Sequence, residues 1–134
     1  MTAALFTILS PKMRTFGIFF ILVPLFLASK EKERFYQLEY AKENKGEVEV
    51  IMPDGTRCDI ITENYAIEVD FARKWAEAIG QSLNYARLTG KKAGIVLLMG
   101  SPNDEMHLIR LNEIILHYRL PITVFPKKIF SNKS

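Results

Sequence analysis

The stretch from Glu47 to Phe71 constrains this chain most, because it packs three alternating segments and two tight turns into one short run. EVEVIM alternates with period two, as a half-buried strand does. Pro53-Asp54-Gly55 follows, joining a residue with preset φ to one that accepts φ > 0, so the chain can reverse there. RCDIIT returns, Glu63-Asn64 turns again, and YAIEVDF alternates once more. An antiparallel three-stranded meander is therefore expected.

The flanks are helical in pattern. Lys30 to Asn44 is rich in helix formers and free of Gly and Pro until Gly46, which predicts a helix with its stop there. Residues 72 to 88, ARKWAEAIGQSLNYARL, carry helical periodicity and reach a C-cap at Thr89-Gly90. KAGIVLLMG is a continuous apolar run, the mark of a strand covered on both faces. Ser101-Pro102-Asn103-Asp104 can cap the helix EMHLIRLNEIILHYR, which Pro121 stops. ITVF is the expected last strand, and the basic tail after it has no pattern. Helix, three strands, helix, strand, helix, strand: this order predicts an α/β fold with a mixed sheet.

A chain of 134 residues, 49% of them hydrophobic, suits one domain, expected over residues 30–134. Residues 1–29 stand apart. Phe16 to Ala28 runs without a charge behind Lys12 and Arg14 and ahead of KEKER, the layout of an export signal. The run is shorter than the about 20 residues a spanning helix needs and holds Pro24, so a membrane anchor or a buried helix are the alternative readings. Export to a periplasmic or extracellular space, or anchoring with membrane contact through residues 16–28, is the expectation for location.

Lys12 and Arg14 account for two of the 18 basic side chains, leaving 16 against 15 acidic ones in the rest. Any affinity for phosphate must then come from a local patch. Cys58 is the sole cysteine, which excludes an internal disulfide or a CxxC zinc pair, and two histidines, His107 and His117, cannot make a histidine-rich site.

The chemistry-bearing candidates are carboxylates. In YAIEVDF, Ile67, Val69 and Phe71 share one face and Glu68 and Asp70 the other. In RCDIIT, Cys58 and Ile60 point one way and Asp59 the opposite way. If the acids face alike on neighbouring strands, three carboxylates lie within reach of one another, and hard oxygen ligands so spaced suit Mg²⁺ or Mn²⁺. A solvated acidic sheet face is the bland alternative. On the next helix, Lys74, Ala78, Gln81 and Tyr85 fall on one stripe, bordering a mostly apolar stripe of Trp75, Ile79, Ser82, Leu83 and Ala86 expected to pack on the sheet.

Over residues 31 to 99 this arrangement resembles the PD-(D/E)XK nuclease superfamily, with its restriction-endonuclease-like α-β-β-β-α-β core, and within it Holliday-junction resolvases and RecB-like nucleases. Asp59 in RCDI matches the family's first strand acid, Glu68 in AIEVD matches the acid of the (D/E)XK element, and Gln81 and Tyr85 look like the Q-x-x-x-Y helix motif. The family's first-helix glutamate would be Glu39, or Glu43 one turn later. The family lysine two places after the acid is Asp70 here, and Lys74 stands where some members carry it instead. The resemblance implies Mg²⁺-dependent (or Mn²⁺-dependent) endonuclease hydrolysis of nucleic acid, DNA foremost. Asp59, Glu68 and Asp70 would be ligands, Lys74 the migrated catalytic lysine, and Gln81, Tyr85 and Glu39 residues that order the site. Cutting two strands with one such site implies a homodimer. A catalytically inactive binding or assembly module of the same fold is the alternative, and a membrane-tethered interaction domain using Leu108, Leu111, Ile114 and Ile115 is a third reading.

Overall fold

A computed structural model describes residues 24–129. The part of the N-terminal signal or anchor expectation that falls on residues 1–23 lies outside the described residues. The backbone is helical from 24 to 43 (α1), and the chain divides into two units at Arg34/Phe35, the second of which holds the sheet. Among the described residues, no helix is long and apolar enough to cross a membrane.

The meander forms as expected: β1 is Glu47–Ile51, β2 Arg57–Ile61 and β3 Tyr65–Phe71, paired antiparallel in sequence order. Gly55 takes φ 83 and donates its N–H to the Met52 carbonyl at 2.9 Å, while the Asp54 carboxylate accepts the Thr56 N–H at 3.0 Å. A short 3₁₀ turn, Ala72–Lys74, leads into α2, Trp75–Thr89, which ends on Gly90 at φ 68. β4, Lys92–Met99, lies parallel to β3; α3, Glu105–Tyr118, crosses over to β5, Ile122–Lys128, parallel to β4. The result is an α/β fold around one five-stranded mixed sheet in the order β1-β2-β3-β4-β5.

Three local expectations need correcting. The left-handed residue after α1 is Lys45, at φ 51, not Gly46; Gly46 is needed because a Cβ there would stand 2.6 Å from Ile60 Cγ2. α3 stops before Pro121, at Arg119, whose left-handed φ of 52 breaks the helix. β5 runs three residues past ITVF into Pro126, Lys127 and Lys128, which an edge strand tolerates because it has an open hydrogen-bonding side for a residue lacking N–H.

β4 is buried on both faces and sorts the core. Val96 and Leu98 join Ile60, Ile67, Val69 and Ala41 beneath α1. Ile95, Leu97 and Met99 join Ala72, Ala78 and Leu111 beneath α2 and α3, with Leu108, Ile115 and Trp75 packed around them. The apolar stripe of α3 is thus mainly core rather than a partner surface. A third cluster, Met52, Cys58, Ala66 and Tyr85, lies under the later turns of α2.

Candidate functional site

Asp59 owes its position to a departure from strand regularity. The ladder registers Val48 with Ile60 and Val50 with Cys58, and between them Glu49 sits opposite Asp59 with φ 54. A left-handed residue within a strand turns the side chains beyond it to the other face. Val48 and Ile60 accordingly pack in the α1 cluster, whereas Val50 and Cys58 pack with Tyr85 of α2. Cys58 and Ile60 therefore do not share a face, as strict alternation requires; the parity changes at Asp59 itself.

At this switch the Asp59 carboxylate reaches across to β3, accepting the Val69 N–H at 2.8 Å and meeting the Glu68 carboxyl side chain to side chain. Glu68 is 5% exposed, on the α2 face with Ala66. Burial above all, with Asp70 and Glu49 adding to it, pushes the Asp59 carboxyl up from 3.8 to about 6 against the pull of the Val69 N–H.

Tyr85 donates its hydroxyl to Glu68, and burial followed by the charges of Glu68 and Asp59 drives its phenol well above the ordinary range. Gln81, one turn earlier on α2, keeps its Oε1 buried with no hydrogen-bond partner among the described residues. The fully buried positions of α2 are Ala78, Ser82 and Tyr85. The stripe expected to border the sheet is thus close to the centre of the contact, and Trp75 and Ile79 pack to one side of it.

Lys74 lies in the 3₁₀ turn and places its Nζ 3.4 Å from Asp70 Oδ1. Asp70 is 3% exposed; burial raises its carboxyl and the Lys74 ammonium offsets part of that rise. Asp59, Glu68 and Asp70 are not assembled into a ready cage, since among the described residues no three His, Cys, Asp or Glu side chains are disposed to hold an ion. Glu39 is not brought to the site either. It belongs to the helix packed on the opposite face and pairs with Lys127 of β5. Cys58, buried beside the acids, has its thiol pushed up to about 11, mainly by burial, and is inert as a nucleophile.

Sequence reasoning missed Glu49. Its place in EVEV gives no hint of φ > 0, and its charge bears on Asp59 while its carboxylate pairs with Arg57 at 3.4 Å. Glycine is at ease in this conformation, so Glu49→Gly should stay within about 0.5 kcal/mol of wild type, while the β-branched Glu49→Val should lose about 2 kcal/mol. Denaturation midpoints check this; equal losses for both would remove the strained backbone from the account.

Comparison with known proteins adds one relationship. The chain is 30% identical over 84 residues to "Putative KilA-N domain-containing protein R878" of Acanthamoeba polyphaga mimivirus. The match covers 63% of this chain and 23% of that protein. No family model matches the chain. No solved structure matches it.

Proposed function

We propose that the chain is a metal-dependent nuclease-like phosphodiesterase acting on nucleic acid, with Asp59 and Glu68 as its metal-binding pair. The observation that carries this reading is the meeting of two carboxyl groups from neighbouring strands, flanked by the tyrosine and glutamine of the succeeding helix. Oxygen donors of this kind fit Mg²⁺ or Mn²⁺, which are held by one or two carboxylates, with waters and substrate phosphate completing the shell. A three-carboxylate cage is not needed for that mode.

When bound, such an ion supplies an acidified water and neutralises charge on the phosphate. The protein's own groups do the rest. Tyr85 fixes the rotamer of Glu68, and the Val69 N–H fixes Asp59. Lys74, steadied by Asp70 and 43% exposed, offers its ammonium to a phosphate oxygen from the open side. Arg73, the next residue to it in the chain, adds a second positive charge there, while Arg57 is paired with Glu49.

One observation favours the inactive binding or assembly module as second reading: a carboxylate, Asp70, occupies the position of the resemblance's lysine and engages the Lys74 amine. Metal binding and cleavage separate the two. Wild-type protein should bind Mn²⁺ saturably in calorimetry and cut branched, duplex or single-stranded DNA or RNA when Mg²⁺ is present. Glu68→Gln should lower the cleavage rate at least about 100-fold, more than loss of a supporting residue around a metal does. Saturable Mn²⁺ binding without cleavage of any of these substrates would sink the nuclease and leave the module.

A further inference from the structure

On the opposite face of the sheet, the chain builds a second concave feature from aromatic side chains. β4 lies between β3 and β5, and at its third residue it carries no side chain: a Cβ on Gly94 would stand 3.0 Å from Ile67 Cγ1, 3.3 Å from Phe125 Cε2 and 3.4 Å from Tyr65 Cδ1. The missing methyl lets the Tyr65 and Phe125 rings close over β4, edge to face at 5.3 Å. Tyr40 of α1 leans on Phe125 at 6.1 Å, completing three half-buried rings from three elements.

These rings line a cleft of about 240 Å³ together with Asn44, Glu63 and Asn64, the Asn44 amide donating one N–H to the Tyr40 carbonyl at 2.9 Å. That volume lies below the about 300 Å³ at which sites for drug-sized ligands begin, so it suits a single ring system. The lining mixes amide donors and acceptors with a carboxylate, the complement of a base edge. Two lysines contact residues of this lining. Lys92 Nζ is 5.9 Å from the Tyr65 ring centroid, and Lys91 Nζ is held on the Glu63 carbonyl at 2.6 Å.

We propose that this cleft binds the base of a nucleotide against Tyr40, Tyr65 and Phe125, reads its edge with Asn44, Glu63 and Asn64, and leaves its phosphate to Lys91 and Lys92. An aromatic side chain of a partner protein could use the rings, but it would leave the mixed lining and the paired lysines without a role. The site is separate from Asp59 and Glu68 and does not depend on their being a metal site. Its ligand could be a free nucleotide or one exposed residue of a strand.

The test is a titration of the full chain, without metal, by AMP, CMP, GMP and UMP and by a short single-stranded oligonucleotide, followed by NMR of the aromatic side chains. Saturable shifts of the Tyr40, Tyr65 and Phe125 resonances are expected. Affinity should fall at least about fivefold in Asn64→Ala. Lys92→Glu should weaken nucleotides more than the matching nucleosides. Both positions are exposed, so the melting temperature should not move. Gly94→Ala, whose methyl intrudes on the ring pair, should weaken every ligand alike. A tighter oligonucleotide identifies a strand as the source, and equal affinities identify free nucleotide. The same shifts persisting in Glu68→Gln would separate the cleft from the acid pair. Inorganic phosphate reproducing the shifts, indole binding as tightly as the nucleotides, or ring resonances that stay still at saturating nucleotide would each overturn the proposal.

Discussion

Asp59→Asn is expected to make the protein more stable by about 2 kcal/mol near pH 8, to leave stability unchanged near pH 4, and to abolish Mn²⁺ binding. The argument starts from burial, which raises the carboxyl from 3.8 in the open chain to about 6 in the fold. A folded-state value above the unfolded one means that the native state holds the proton more tightly. The contribution of Asp59 is therefore fully present below about 3.8 and is lost as pH rises through about 6. Asparagine escapes this loss. Its oxygen still accepts the Val69 N–H, and its amide carries no charge to be desolvated and can donate to Glu68. The difference between the two values sets an upper bound of about 3 kcal/mol on this gain. Urea denaturation at the two pH values measures the gain. An equal gain at both would show that the carboxyl pair is not its source, and a loss near pH 8 would show that the asparagine cannot replace the carboxyl. A gain of stability accompanied by lost metal binding is the expected signature of a functional site whose acid is buried at a cost to the fold.

How far this site could be read beforehand depended on which physical signal each residue carried. The meander was legible because Pro53, Asp54 and Gly55 are turn residues for mechanical reasons, although β3 itself is buried on both faces. β4 was legible as a strand covered on both faces, and every residue from Ala93 to Met99 is buried. Asp59 and Glu68 were correctly expected to meet, but through a regular alternation that the structure does not have. The parity switch at Glu49 is a backbone conformation chosen by tertiary packing, and glutamate has no local propensity for it. Glu39 was expected at the site as the resemblance's first-helix glutamate, but a place on that helix carries no information about the sheet face α1 covers; Lys127, its actual partner, comes from a strand segment that Pro126 concealed. The buried positions of α2, Ala78, Ser82 and Tyr85, draw on both of the stripes that periodicity separates, and Lys74 stands in the turn before the helix. Helical periodicity fixes which side chains share a face, whereas the small Ala78 and Ser82 decide how closely that face approaches the sheet.

Tyr85 shows how packing and chemistry at this site can be measured apart. It is 4% exposed, fills the cluster with Met52, Cys58 and Ala66, and donates its hydroxyl to Glu68. Tyr85→Ala removes both contributions and leaves a cavity, so a loss of about 4 kcal/mol is expected, in the range of large aromatic truncations in a core. Tyr85→Phe keeps the ring and deletes only the donor, for which a loss of about 1 to 2 kcal/mol is expected, since the acceptor is a buried carboxyl group. The phenylalanine variant is the informative one. If Tyr85 only fills space, its loss should be near zero and its Mn²⁺ affinity unchanged. If the hydroxyl holds Glu68 in the rotamer that faces Asp59, Mn²⁺ affinity should fall about tenfold in a protein that remains folded, because a ligand released from its orienting bond must be ordered again on binding. Denaturation and calorimetry on the same two variants therefore decide whether the hydroxyl orients the acid pair or the ring merely packs beneath it.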